Sequence, residues 1–249
     1  MVERGLESFF EVFLRKESVF FDKRALQSGY IPETVLHREE QIKQIANILA
    51  PALKKEKPSN IFIYGKTGTG KTLTIRYTTQ KLKEIADKGE VPLKIIYVNC
   101  KLKRSADTEY RLIAQLAREL GRAIPSTGLP TEEVYNSFFK ALNKQQQNYI
   151  IILDEVDQLV NKTGDNALYN LTGINEEDTK SQISLIGISN DIVFVDNLDP
   201  RVRSSLSEED VVFPPYNAMQ IQAILRQRSE LAFNKDVLEQ GVIEKCAAY

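Results

Sequence analysis

Residues 60–64 (NIFIY) form a short apolar run, and a helical pattern begins at Lys71. Between them stands Gly65-Lys66-Thr67-Gly68-Thr69-Gly70-Lys71-Thr72. The segment fits G-x-x-x-x-G-K-[ST] in the strand-to-helix setting that this pattern requires, and it limits the possible folds more than any other stretch. Gly65, Gly68 and Gly70 allow the loop to curl until backbone N–H groups converge on one point. The helix behind it adds the partial positive charge of its N-terminus there. Such a concavity suits phosphate. Lys71 supplies a mobile cation for β- and γ-phosphates, and the Thr72 hydroxyl supplies a ligand for Mg²⁺.

The rest of the chain reads as strands alternating with helices. Apolar residues recur at helical spacing over residues 39–53, and a second helix is expected from about Lys71 to a stop at Gly89. Residues 93–99 (LKIIYVN) read as a strand, and residues 109–120 as an amphipathic helix closed by Gly121. Thr131 is expected to cap a further helix, with Glu132 and Glu133 in its first turn. Residues 149–153 (YIIIL) and 183–189 (ISLIGIS) are apolar throughout, as strands buried on both faces should be, and residues 211–213 (VVF) make a short last strand. This alternation implies an α/β fold with a parallel sheet between helices. After Pro214-Pro215 come two helical patterns, on Ile221, Ile224 and Leu225 and on Val237, Leu238, Val242 and Ile243. The expected division is 1–213 for the nucleotide-binding domain and 214–249 for the beginning of a helical lid. Residues 6–14 show only a mixed apolar pattern, and the stretch after them, ending at Pro32, reads as an irregular lead-in.

Asp154 and Glu155 end the aliphatic strand in IIILDEVD. Open α/β sheets gather ligands at the carboxyl ends of their strands, so Asp154 is the candidate Mg²⁺ ligand and Glu155 the candidate general base for an attacking water. Asn190 ends the next strand, where an amide can orient water and touch a γ-phosphate.

The formal net charge is −1, which argues against coating nucleic acid over the whole surface but leaves room for a local basic face. Cys100 and Cys246 lie far apart with no CxxC spacing, and His37 is the single histidine, so neither a structural zinc nor a multi-histidine metal site is expected. The N-terminal stretch MVERGLESFFEVFLRK carries spaced charges and fits neither a signal peptide nor an anchor. A cytoplasmic, nucleoid-associated protein with no membrane partner is the expectation.

In order, "YIPETVLHREEQI", "SNIFIYGKTGTGKT", "YIIILDEVDQL", "LIGISN" and "LDPRVRSSL" make the chain resemble the AAA+ ATPases, and among them the archaeal-type origin-recognition and replication-initiator family. The resemblance implies a five-stranded parallel sheet in 5-1-4-3-2 order, a helical lid and a C-terminal winged-helix domain on duplex DNA. It assigns Lys71 and Thr72 to Walker A, Asp154 and Glu155 to Walker B, and Asn190 to sensor 1. It sets Tyr30, Ile31 and Pro32 along the adenine pocket, with His37 as a structural or pocket-edge residue. Arg201 matches the arginine finger offered in trans to a neighbouring subunit, while Arg203 is expected to make local ion pairs. The extra helical element of the family corresponds to residues 116–136, where Arg122, Ser126, Thr127 and Gly128 suit phosphate and sugar contacts. The basic run at residues 101–104 is a further phosphate candidate. No Gly-Asp-Ala-Arg-like sensor 2 element is found; Arg228 does not take that role, and the chain reads as truncated within its lid.

The function so implied is an ATP-dependent initiator that binds ATP or ADP with Mg²⁺, marks duplex origin DNA and helps load a replicative helicase. Related initiator subunits, or a second copy, are the expected partners, and hydrolysis is expected to be slow. A clamp-loader-like subunit and a nucleotide-controlled signalling ATPase that does not bind DNA remain as alternatives. A small-molecule kinase is weaker, because no acceptor site stands beside the loop.

Overall fold

The computed structural model describes residues 2–15, 18–27, 29–101, 108–125, 128–174, 180–206 and 208–248. They divide into two compact units: residues 38–215, and residues 1–37 together with 216–249. The expected boundary after residue 213 falls close to the observed one at 215, but residues 1–37 group with 216–249 instead of with the sheet.

Five strands build the larger unit: β1 (Asn60–Tyr64), β2 (Leu93–Asn99), β3 (Asn148–Asp154), β4 (Gln182–Ser189) and β5 (Glu208–Val212). They pair in the order β2-β3-β4-β1-β5, all parallel, which is the expected 5-1-4-3-2 order read from the other edge. Side chains of successive residues point to opposite faces, and both faces are covered. Phe62 and Tyr64 of β1 join Tyr149, Ile151 and Leu153 of β3 in one core cluster. Ile61 and Ile63 join Ile150, Ile152, Ile186 and Ile188 in the other. This two-sided burial accounts for the unbroken apolar runs.

Helices α2 (Glu39–Leu49) and α3 (Lys71–Lys88) lie in the second cluster through Ile45, Leu49, Ile75 and Leu82. A 3-10 turn at Ala50–Lys54, with Pro51 near its start, ends α2 earlier than the periodicity suggests. On the first cluster pack α4 (Glu109–Glu119), α5 (Thr131–Leu142), α6 (Val156–Thr163), α7 (Asn166–Gly173) and α8 (Pro200–Leu206). The residue that precedes α5 is Pro130, with no side-chain cap, so Thr131 is the first helical residue and not the cap expected of it. Pro130 fixes its own φ at −57° and sets the entry angle instead.

The last strand differs most from expectation. It spans Glu208–Val212, not 211–213, and only Val211 is buried along it. As an edge strand it carries Glu208, Glu209 and Asp210, charges that discourage pairing with another chain and that hid it from an apolar search. Asn60 ties this side of the fold together: its Oδ1 accepts the Leu185 N–H at 2.8 Å, and its Nδ2 donates to the Leu206 carbonyl that ends α8.

In the smaller unit, α1 (Val2–Arg15) forms where only a mixed pattern was expected, and it exposes Leu6, Phe9, Phe10 and Phe13. Helix α9 (Ala218–Ala232) starts with a capping box between Asn217 and Gln220. Phe20 pairs with Phe233 in an antiparallel bridge, their rings 5.1 Å apart, and this joins the lead-in to α9. Helix α10 (Val242–Ala247) is shorter than the pattern suggests, leaving Val237 and Leu238 outside it. Arg228 of α9 donates to the Ala25 carbonyl at 2.8 Å and lies over the Tyr30 ring at 4.8 Å.

Candidate nucleotide site

The register of the sheet assembles the site. Tyr64 of β1 stands opposite Ser189 of β4, so the loop after β1 and Asn190 leave the sheet side by side. Asp154 of β3 stands opposite Ile188 on one side and Asn99 on the other. The carboxyl ends of four strands therefore converge, the place where open α/β sheets bind ligands.

Gly65 has a φ of +155°, and a Cβ there would come within 2.5 Å of the Phe213 carbonyl oxygen. Only glycine fits that approach. Gly70 precedes α3 in the left-handed region and offers no side-chain cap, so the first N–H groups of the helix stay directed at the loop. Lys71 is buried, and its ammonium donates to the carbonyls of Gly65 at 2.6 Å and Lys66 at 2.9 Å and to Asn190 Oδ1 at 2.8 Å. All its donors are thus engaged. Burial pushes this lysine below its usual value, against the opposing pull of Asp154, Asp157 and Glu155. Lys66, Thr67 and Gly68 form the exposed rim of the loop, while Thr69 is buried and its hydroxyl donates to the Lys66 carbonyl.

Thr72 donates to Asp154 Oδ2 at 2.8 Å, and Tyr97 donates to the same oxygen at 2.6 Å. Asp154 Oδ1 accepts the Glu155 N–H. Among the described residues no group of three or more His, Cys, Asp or Glu side chains could hold a metal by itself. One hydroxyl and one carboxylate side by side are the sparse oxygen set of Mg²⁺, which keeps waters and takes substrate oxygens. The residues present fit that ion.

Glu155 adopts φ 54° and ψ 44°, an uncommon conformation for a non-glycine residue. Its Oε2 pairs with Lys101 at 3.1 Å, and its Oε1 receives a long bond from Asn99 at 3.5 Å. The candidate base is therefore held by a cation from the start of the basic run. Residues 102–104 of that run lie outside the described residues.

Sequence reasoning missed the supporting roles of three side chains. Arg38, 3% exposed, donates to the Thr69 carbonyl at 3.0 Å and the Pro214 carbonyl at 2.7 Å, bracing the loop against the end of the sheet. Tyr97 orients Asp154, and the Arg76 guanidinium lies 4.1 Å over its ring. Lys101 holds Glu155. No local pattern marks these contacts; only the strand order reveals them.

Tyr30, Ile31 and Pro32 belong to the smaller unit, as does His37, which has φ 58°. Arg201 is exposed on α8 and forks onto Asp199, with two bonds at 3.1 Å, and this contact holds the Asp199 carboxyl below its usual range. Arg203 pairs with Asp196 at 3.1 Å, the local ion pair expected of it. Arg122 is half-buried and its Nε has no hydrogen-bond partner among the described residues; Gly128 is exposed with φ 105°. Ser126 and Thr127 lie outside the described residues.

The family model described as "AAA domain" matches residues 54–192. The chain is 48% identical over 252 residues to an ORC1-type DNA replication protein of Thermococcus onnurineus, covering all of this chain and 60% of that protein. It is 49% identical over 247 residues to the ORC1-type protein of Pyrococcus abyssi, covering 98% of this chain and 58% of that one. Among solved structures, the Aeropyrum pernix ORC1 protein in complex with DNA superposes with a TM-score of 0.86 at 43% identity, over 94% of this chain and 60% of that one. The chain thus spans about 60% of the length of the relatives it matches. No helix among the described residues is long and apolar enough to cross a membrane.

Proposed function

We propose, for a chain that belongs to the AAA ATPase domain family on its archaeal-type replication-initiator branch, that residues 38–215 bind ATP or ADP and hydrolyse ATP slowly as a switch. The switch governs binding to duplex origin DNA and, through it, loading of the replicative helicase. The observation that carries the nucleotide reading is the joining of Lys71 to Asn190 and of Thr72 to Asp154 at the strand ends, each at 2.8 Å.

The loop N–H groups and Lys71 take the phosphates. Mg²⁺, held by Thr72 and Asp154, would supply charge neutralisation at the phosphate oxygens. Asn190 orients the terminal phosphate, and Glu155 accepts a proton from the attacking water. Arg201 serves a neighbouring subunit in trans, where a guanidinium steadies charge on the transferred phosphoryl group. The pairing of Lys101 with Glu155 and of Asp199 with Arg201 supports the reading of slow turnover.

The DNA reading rests on the resemblance to the ORC1-type proteins, with Arg122 and Gly128 as described contact candidates and residues 126 and 127 between them. Binding of the full gene product to duplex DNA, with ADP and with ATP over a salt series, tests it. Preference for a particular duplex with a falling log K against log salt supports the initiator reading. Absence of duplex binding favours the clamp-loader-like or signalling alternative.

A further inference from the structure

Away from the nucleotide site, α5, α7 and α8 enclose a cleft of about 470 Å³. Tyr135 and Phe139 line it from α5, one helical turn apart, with ring centroids at 6.1 Å. Tyr169 and Asn170 come from α7, Ser205 from α8, and Glu132 from the first turn of α5.

Polar bonds tie the walls of the cleft together. The Tyr135 hydroxyl donates to Glu109 Oε1 at 2.7 Å, and Asn170 Nδ2 donates to the same oxygen at 3.0 Å. Thr172 and Ser205 join their hydroxyls at 2.9 Å and so fasten α7 to α8. Two carboxylates thus stand at the cleft, Glu132 in its lining and Glu109 bonded to two lining residues. Among the described residues no lysine or arginine lines it.

Three aromatic residues line the cleft, ring faces carry negative potential, and the two carboxylates add to it. Anions are repelled; a cation is attracted. A planar guanidinium suits this arrangement better than a compact ammonium, because it stacks on a ring while its edge bonds a carboxylate. We propose that the cleft receives an arginine side chain of a partner protein. Nucleic acid is disfavoured by the same charges that favour arginine. Tyr169 also lines the smaller recess of Asp199 and Arg201, so a chain seated in the cleft meets the same face as Arg201.

The test is an NMR titration of the full chain, labelled at Tyr and Phe rings, with Nα-acetyl-arginine methylamide. The matching citrulline, lysine and spermidine probes run in parallel. The arginine probe should shift the Tyr135, Phe139 and Tyr169 resonances saturably, the lysine probe should bind about fivefold more weakly, and citrulline should not bind. Glu132→Gln and Tyr169→Ala change exposed side chains, and each should weaken the arginine probe about fivefold at an unchanged melting temperature. An equal response to citrulline, or no saturable shift with arginine, overturns the proposal. Spermidine binding more tightly than arginine overturns it as well, in favour of a free polyamine.

Discussion

Thr72 Oγ1 and Asp154 Oδ2 stand 2.8 Å apart although 82 positions separate them in sequence. One residue lies in the first turn of α3 and the other closes β3, so parallel strand order alone brings them together. If the pair holds Mg²⁺, Thr72→Val removes one of its two protein oxygens. The Mg²⁺-dependent part of nucleotide affinity should then fall, while affinity measured in EDTA stays nearly the same. Equal losses with and without Mg²⁺ would remove the assignment.

Lys101 holds the candidate base through a partly exposed ion pair. Such pairs are worth no more than about 1 kcal/mol. Lys101→Ala should free Glu155 and raise single-turnover ATP hydrolysis about two- to fivefold. A slower rate in the variant would mean that Lys101 assists the reaction.

Arg38→Met leaves the carbonyls of Thr69 and Pro214 without this donor in a buried place. The expected loss is about 2 kcal/mol in urea denaturation, together with weaker nucleotide binding as the loop loses its brace. A variant as stable as the parent would show that the brace carries little.

Gly187 faces the Phe62 ring so closely that a Cβ would lie 2.5 Å from its Cε1. Gly187→Ala should destabilise by about 1–3 kcal/mol through overpacking. Combining it with Phe62→Leu should be less damaging than the two separate effects added together, a coupling that a double-mutant cycle detects. Simple additivity would contradict the contact.

Tyr135 keeps its proton far above the usual tyrosine range, first because it is buried and then because it bonds Glu109. Above about pH 10, where the unfolded tyrosine ionises, the folded state holds a proton that the unfolded state has lost. Stability therefore falls as pH rises through that range. Tyr135→Phe should flatten this alkaline decline in denaturation curves taken from pH 8 to 11. An unchanged slope would place the decline elsewhere.

The sequence revealed most where burial or motif was strongest. Strands β1, β3 and β4 showed as apolar runs because each is covered on both faces, and the glycine-rich loop showed because phosphate geometry needs those residues at that spacing. The edge strand β5 was misjudged because acidic residues protect it, and α1 escaped because its aromatic residues bury nothing that would impose a strict pattern. At the site, Lys71, Thr72, Asp154 and Asn190 were legible from local motifs. Arg38, Tyr97 and Lys101 were not. Each acts on a residue from another part of the chain, and such neighbours follow from register and strand order, which no local window contains.

The central claim is that residues 65–72 and Asp154 form a working nucleotide site. Calorimetric titration of the parent chain and of Lys71→Ala with ATP and ADP, in the presence of Mg²⁺, measures it most directly. The parent should bind one nucleotide per chain, and the variant should bind about tenfold more weakly or worse, the loss expected for a charge-assisted bond to phosphate. Saturable binding that is indifferent to Lys71, or no binding by the parent, would contradict the account.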